Sequence, residues 1–252
     1  MTPRTLTTLL CAVMATLPLL AQTGGGQRLI LATELSDLSR GHRDWSEVSV
    51  RYVRLGAPRE STELAVTGTS RFGLKDSQLD VVHTAPLSPS LVASVQASHS
   101  PTARVLPGRS AGGSLQYEFA PAWLVHGGFR HTHYESTDVN RLNVVLERYA
   151  GPFSASVAWS PVRALGTRSD LVELRGTWYH SEGGSIGLIA SRGDEATQLG
   201  GGVVALADVR SLALVGRHRL GPGYGLNYAL SRTRQGRFYT RTGVSLGVQR
   251  DF

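Results

Sequence analysis

The chain has 252 residues, 41% hydrophobic and 18% charged, with a formal net charge of +7 and a single cysteine, Cys11. This composition excludes a disordered chain and a disulfide-stapled scaffold. Beyond the N-terminal segment no stretch reaches the ~18 apolar residues of a membrane-spanning helix, which excludes a helical membrane protein. Lys75 is the only lysine, and the arginines are scattered singly without a basic run, so no nucleic-acid partner is expected.

The chain opens on "MTPRTLTTLLCAVMATLPLLAQTGGG", with Arg4 ahead of an apolar core from Leu6 to Leu20 and the small residue Ala21. This pattern predicts a secretory signal peptide over 1–21 and a mature domain over 22–252. Cys11 would leave with the leader, so the exported domain has no disulfide to hold it together.

After Gly26 the pattern has period two, the period of strands and not of helices. In "RLNVVLERY", Leu142, Val144 and Leu146 alternate with Arg141, Asn143, Val145, Glu147 and Tyr149. In "FSASVAWS", Phe153, Ala155, Val157 and Trp159 alternate with serines and Ala158. Strands are predicted at 28–39, 44–55, 61–72, 76–87, 91–100, 110–120, 122–133, 139–150, 152–161, 169–181, 184–193, 204–220, 223–233 and 238–252. Twelve strands remain the alternative, because 28–39 and 204–220 carry the weakest alternation. Tight turns such as "PLSPS", "AGP" and "GPG" close one end. Longer connections are expected at the other: "SRGHRD", "HSPTARVLPGRS", "YESTDVN", "VRALGTRS" and "GDEATQLGGG".

These strands are long for a soluble sandwich and fit the nine to eleven or more residues that cross hydrocarbon at a tilt. The polar face, rich in Gly, Ser, Thr, Glu and Arg, would make a poor packed core. The apolar face carries Phe72, Trp123, Phe129, Phe153, Trp159, Trp178, Tyr224 and Phe238 near strand ends, as expected of interfacial girdles. The prediction is an all-β, antiparallel, up-and-down transmembrane barrel of about fourteen strands in a Gram-negative outer membrane. With that strand number the lumen should be narrow and partly occluded.

The last strand, "GVSLGVQRDF", sets Phe252, Arg250, Val248, Leu246 and Val244 on one face. Phe252 is assigned as the aromatic tip that the barrel-assembly machinery reads. The chain resembles the YaiO-type outer-membrane β-barrel family in "TELSDLSRGHRDWSEVSVRY" (33–52), "SRFGLKDSQLD" (70–80), "HSPTARVLPGRS" (99–110) and the closing strand. The resemblance rests on Trp45 after a Gly-containing turn, the turn Arg71–Gly73 and the Leu106-Pro107 loop. It implies an outer-membrane barrel and, through some relatives, association with exopolysaccharide export. It supplies no catalytic residues.

Strand parity places seven acidic side chains on the lumen face: Glu34, Glu47, Glu63, Asp80, Glu118, Glu147 and Glu173. Six arginines share it: Arg51, Arg71, Arg130, Arg141, Arg175 and Arg241. Tyr149, Tyr179 and Tyr239 fall on the same face. Buried charges must pair, so a cross-strand salt-bridge network is the simpler reading. The functional reading is a charged, Tyr-lined constriction that guides a glycan or small anion. His131 and His133 share an outer-rim face, with His99 at another outer loop, and a surface hydrolase acting on lipid A or phospholipid would find its base there. Because His180, Ser181 and Glu182 are consecutive and point to opposite faces, they form no triad. The function expected is therefore non-enzymatic: a narrow porin-like or polysaccharide-export barrel, with a purely structural envelope role as the other alternative. No metal or cofactor is implied. Expected partners are outer-membrane lipid and lipopolysaccharide, the assembly machinery, and exopolysaccharide or periplasmic export components.

Overall fold

The computed structural model describes residues 25–198 and 204–252 together with Thr7–Thr8. The predicted leader lies outside the described residues except for that dipeptide, which pairs with Gln198 and Thr197. Alternating sequence makes strands that can bury only one face, and here the sheet resolves this by closing on itself.

Fourteen antiparallel strands form the wall. They are β1 Gly26–Leu38, β2 Trp45–Leu55, β3 Ser61–Arg71, β4 Leu74–Ser88, β5 Leu91–His99, β6 Arg109–Ala120 and β7 Trp123–His133. Then come β8 Asp138–Ala150, β9 Phe153–Ala164, β10 Thr167–Ser181, β11 Gly184–Gln198, β12 Val204–Gly221, β13 Tyr224–Gln235 and β14 Tyr239–Asp251. Each strand pairs with its sequence neighbours. The last returns to the first, from Arg241 opposite Leu38 to Asp251 opposite Arg28. Arg28 locks the seam through Asp251 at 2.5 Å, and the Phe252 N–H donates to the Gln27 carbonyl at 2.8 Å. Closure leaves no sheet edge, which hydrocarbon could not solvate. The two weakest predicted strands, 28–39 and 204–220, are β1 and β12, so the count is fourteen and not twelve.

The burial pattern is inverted relative to a soluble sandwich. Leu31, Leu35, Val66, Leu188, Leu212 and Leu246 are all more than half exposed on the outer wall, whereas Ser154, Ser160, Thr233 and Gln249 are buried inside. Trp123, Phe129, Phe153, Trp159, Trp178 and Tyr224 point outward on alternating positions, as a barrel facing lipid requires. Phe72 and Phe238 correct the predicted girdle. Phe72 is only 9% exposed and packs inward with Leu38, Trp45 and Tyr239, with Phe238 against them.

The start of β1 at Gly26 and the C-terminal Phe252 lie at one end, with the turns at 56–60, 89–90, 121–122, 151–152, 182–183 and 222–223. The other end carries the connections at 39–44, 72–73, 100–108, 134–137, 165–166 and 236–238. Two predicted long connections are not loops. In "VRALGTRS" the strands run to Ala164 and resume at Thr167. Leu165 (φ 52) and Gly166 (φ 73) are both left-handed, the twist of a two-residue hairpin turn. In "GDEATQLGGG" residues 193–198 stay in strand, paired with β12 as far as Gln198 opposite Val204.

Candidate functional site

The lumen is filled at the loop end. Trp45 begins β2 facing inward, and Phe72 is turned inward by a hairpin whose two residues, Phe72 (φ 55) and Gly73 (φ 83), are both left-handed. Trp45 meets Phe72 edge-on at 5.2 Å and Tyr239 at 6.0 Å, and His42 caps Tyr239 at 5.7 Å. The guanidinium groups of Arg71 and Arg241 each sit 5.0 Å from the Trp45 ring centroid. A desolvated cation on an indole contributes up to about 2 kcal/mol. Two cations on one ring need counter-charges, and the wall supplies them: Glu47 lies 2.9 Å from Arg71, and Glu34 lies 3.7 Å from Arg241. Across the barrel, Tyr134 packs on Val162 and Ala164 at the same level.

The connection 100–108 folds into this end. Val105 is fully buried, and Leu106 and Pro107 are buried beside it. What holds the segment is Asp76, on the lumen face of β4. Its carboxylate accepts the backbone N–H of Val105 at 2.6 Å and of Leu106 at 2.9 Å, and Thr102 donates its hydroxyl to the other oxygen. Asp76 itself is 6% exposed. Sequence reading missed this residue. Its signal is parity: Asp76, Gln78 and Asp80 alternate onto one face, so a carboxylate four positions outward from a lumen acid must also point inward.

Below the filled end, the inner-facing side chains are half-buried, not closed over. On one side Arg51 pairs with Glu63 at 3.1 Å, and Gln78 donates to Asp80 at 2.8 Å. Arg130 reaches across β6 to Gln96 and to the Ser110 hydroxyl, at 3.4 and 2.8 Å. Gly112 on β6 makes room for it: a Cβ there would sit 3.3 Å from Arg130 Cβ and 2.7 Å from the Phe129 carbonyl. Further round the wall His126, on the same strand as Arg130, contacts Glu147 on β8 at 3.2 Å, and Arg175 lies 3.5 Å from Glu173 on β10. Arg141 projects inward from the same strand as Glu147. At the turn end Tyr149 and Tyr179 stack with centroids 6.2 Å apart, and the Tyr179 hydroxyl meets Ser154 at 3.3 Å. The rest of the wall, β11 to β13, presents small side chains inward over its middle, among them Ser191, Ser211, Ala213, Ala229 and Ser231, with Arg217 and Asn227 below them toward the turn end.

The predicted constriction residues therefore fall into three places. Glu47, Arg71, Tyr239 and Arg241 belong to the filled end. Arg51 lines the flank of β2 to β4, while Arg130 on β7, directly opposite Arg141 on β8, begins the flank that Glu147, Tyr149, Glu173, Arg175 and Tyr179 continue. Tyr239 does not join the other two tyrosines. Glu118 caps a turn instead, accepting the Ala122 N–H at 3.2 Å. His131 and His133 share the outer wall at the loop end. His133 Nδ1 lies 2.7 Å from the Asp138 carboxylate, and His131 Nδ1 lies 2.9 Å from Asn140 Oδ1. Among the described residues no group of three or more His, Cys, Asp or Glu side chains could hold a metal ion.

A family model described as the YaiO membrane beta barrel domain matches residues 27–168, more than half of the chain. No curated protein matches the sequence. Among solved structures, the CymD monoaromatic hydrocarbon channel is similar at a TM-score of 0.62 and 8% identity, over 92% of this chain and 89% of that one. An outer membrane channel from Pseudomonas putida F1 is similar at 0.56 and 12% identity, over 92% and 97%. The outer membrane protein Omp33 of Acinetobacter baumannii is similar at 0.54 and 12%, over 90% and 99%. At such identities the likeness is one of fold.

Proposed function

The chain belongs to the family of YaiO membrane β-barrel domains and is an outer-membrane barrel, and from that premise we propose that it is a narrow, normally closed pathway for a small polar solute. With the termini and tight turns facing the periplasm, the filled end is the extracellular mouth. The observation that carries the reading is the contrast between the two ends of the lumen. The outer end is closed by an inward-folded loop that a single carboxylate holds in place, while the wall below it stays charged, half-exposed and lined with small residues on one arc. A barrel needing only rigidity could fill its whole interior with side chains, and here the buried inward side chains concentrate toward the outer end.

Carbohydrate is the favoured solute class. The Tyr149–Tyr179 stack at the periplasmic mouth offers flat rings, flanked by Glu147 and His126 as hydrogen-bonding groups. That pairing suits a saccharide passing outward, in keeping with a role in polysaccharide export. Planar-bilayer recording tests the reading. The native barrel should show small, infrequent openings, and deletion of 101–107 should give steady conductance. A folded barrel that conducts in neither form would count against any pathway role.

A further inference from the structure

We propose that Arg192, Arg210, Arg232 and Arg234 form a docking site on the outer wall for the phosphate groups of an outer-leaflet lipid. The four are scattered in sequence, but strand register gathers them. Arg192 on β11 stands directly opposite Arg210 on β12, and Arg210 directly opposite Arg234 on β13. Arg232 faces outward one layer nearer the hydrocarbon, opposite Leu212. All four are exposed and share the lipid-facing parity of Leu188, Leu214 and Leu230.

Like charges directly opposite each other on neighbouring strands repel, so a row of three demands a compensating anion. The protein supplies little. Among the described residues Arg192, Arg232 and Arg234 have no carboxylate partner, and Arg210 has only Asp208 at 3.6 Å, with both side chains about half exposed. Asp208 and its cross-strand partner Asp194 stand a layer further out. Nor does an aromatic ring among the described residues stack on the row. At the periplasmic rim, by contrast, two outward arginines stack: Arg148 lies 4.9 Å from the Trp123 centroid, and Arg250 lies 5.3 Å from Tyr224.

The height of the row selects a lipid phosphate over a free anion. From Leu220 to Arg210 is ten strand positions, about 33 Å of strand, or about 25 Å of height at a tilt near 40°. That is the height of the apolar band of a membrane barrel, so the guanidinium groups emerge at its outer edge, level with lipid head groups. Adjacent forks on strands about 5 Å apart can grip one phosphate bidentately or span two.

Native mass spectrometry of the purified full chain in detergent tests this, with bis-phosphorylated lipid A, its dephosphorylated form and inorganic phosphate as probes. The phosphorylated lipid should bind at least tenfold more tightly than the dephosphorylated one. The Arg192→Gln/Arg210→Gln/Arg234→Gln variant should lose that preference, and Arg54→Gln/Arg148→Gln, outward-facing at the other rim, should keep it. Heat-dependent gel migration reports whether each barrel has folded. Should the triple variant fail to fold, Arg192→Gln alone should weaken the preference about threefold. A preference that survives in the folded arginine variants overturns the proposal. So does inorganic phosphate that displaces the lipid at equal concentration, which would mark a free-anion site.

Discussion

Replacing Asp76 by alanine should open the outer mouth. Its carboxylate holds Val105 N–H, Leu106 N–H and the Thr102 hydroxyl, and a hydrogen bond to a charged group contributes about 1.5–3 kcal/mol. Because three bonds on one group are not additive, the clamp holds on the order of 4 kcal/mol. Burial of Val105 and Leu106 also favours the inward position, but the backbone entropy of ordering residues 100–108 offsets it. Losing the clamp should raise the open fraction several hundredfold, since 1.4 kcal/mol is a factor of about ten. Two assays read the change. Single-channel recording should show longer openings. Trypsin should cut faster after Arg104, which is exposed at the tip of the loop. Asp76→Asn keeps an acceptor oxygen without the charge and should fall between. A folded Asp76→Ala barrel with unchanged openings and an unchanged cleavage rate would refute the reasoning.

Trp45→Ala empties the outer cluster and should cost about 3–5 kcal/mol, seen as a lower unfolding midpoint in detergent, with Trp45→Phe costing less. Leu214→Arg puts a cation on the lipid face near mid-height and should destabilise the inserted barrel by about 2–4 kcal/mol, measured by urea titration in lipid vesicles. Removing Arg51 leaves Glu63 on that flank without its ion-pair partner. The reversal potential of open channels under a salt gradient should then shift toward cation selectivity in Arg51→Ala, whereas no shift would place the pair outside the path.

The wall was legible because period-two alternation and turn residues are local signals. Every strand from β1 to β14 follows from them, and parity alone places Arg51, Glu63, Glu147 and Glu173 inside. What stayed hidden depends on register and on backbone twist. Nothing in "SRFGLKD" shows that Phe72 takes a left-handed conformation and turns inward. Nothing in "HSPTARVLPGRS" shows that Val105 is buried under a carboxylate 29 residues earlier. Likewise the outer arginines look isolated along the chain, because Arg192, Arg210 and Arg234 are separated by whole strands and meet only through pairing.

The same asymmetry predicts access from one side only. Cys11 is the only cysteine in the chain, and it falls in the predicted leader, so one introduced thiol reports on the lumen without background. Ser156 faces inward on β9, half-buried, opposite Glu147 on one neighbouring strand and Arg175 on the other. In a planar bilayer, a charged methanethiosulfonate added on the periplasmic side should modify Ser156→Cys, because the Tyr149–Tyr179 stack narrows that mouth without sealing it. Added on the outer side, the reagent meets Trp45, Tyr239 and the 100–108 loop, and modification should be at least a hundredfold slower. Introducing Asp76→Ala beside Ser156→Cys should restore outer access and leave the periplasmic rate unchanged. Equal rates from both sides before that change would mean that the outer closure does not seal, and that the clamp positions a loop without controlling a path.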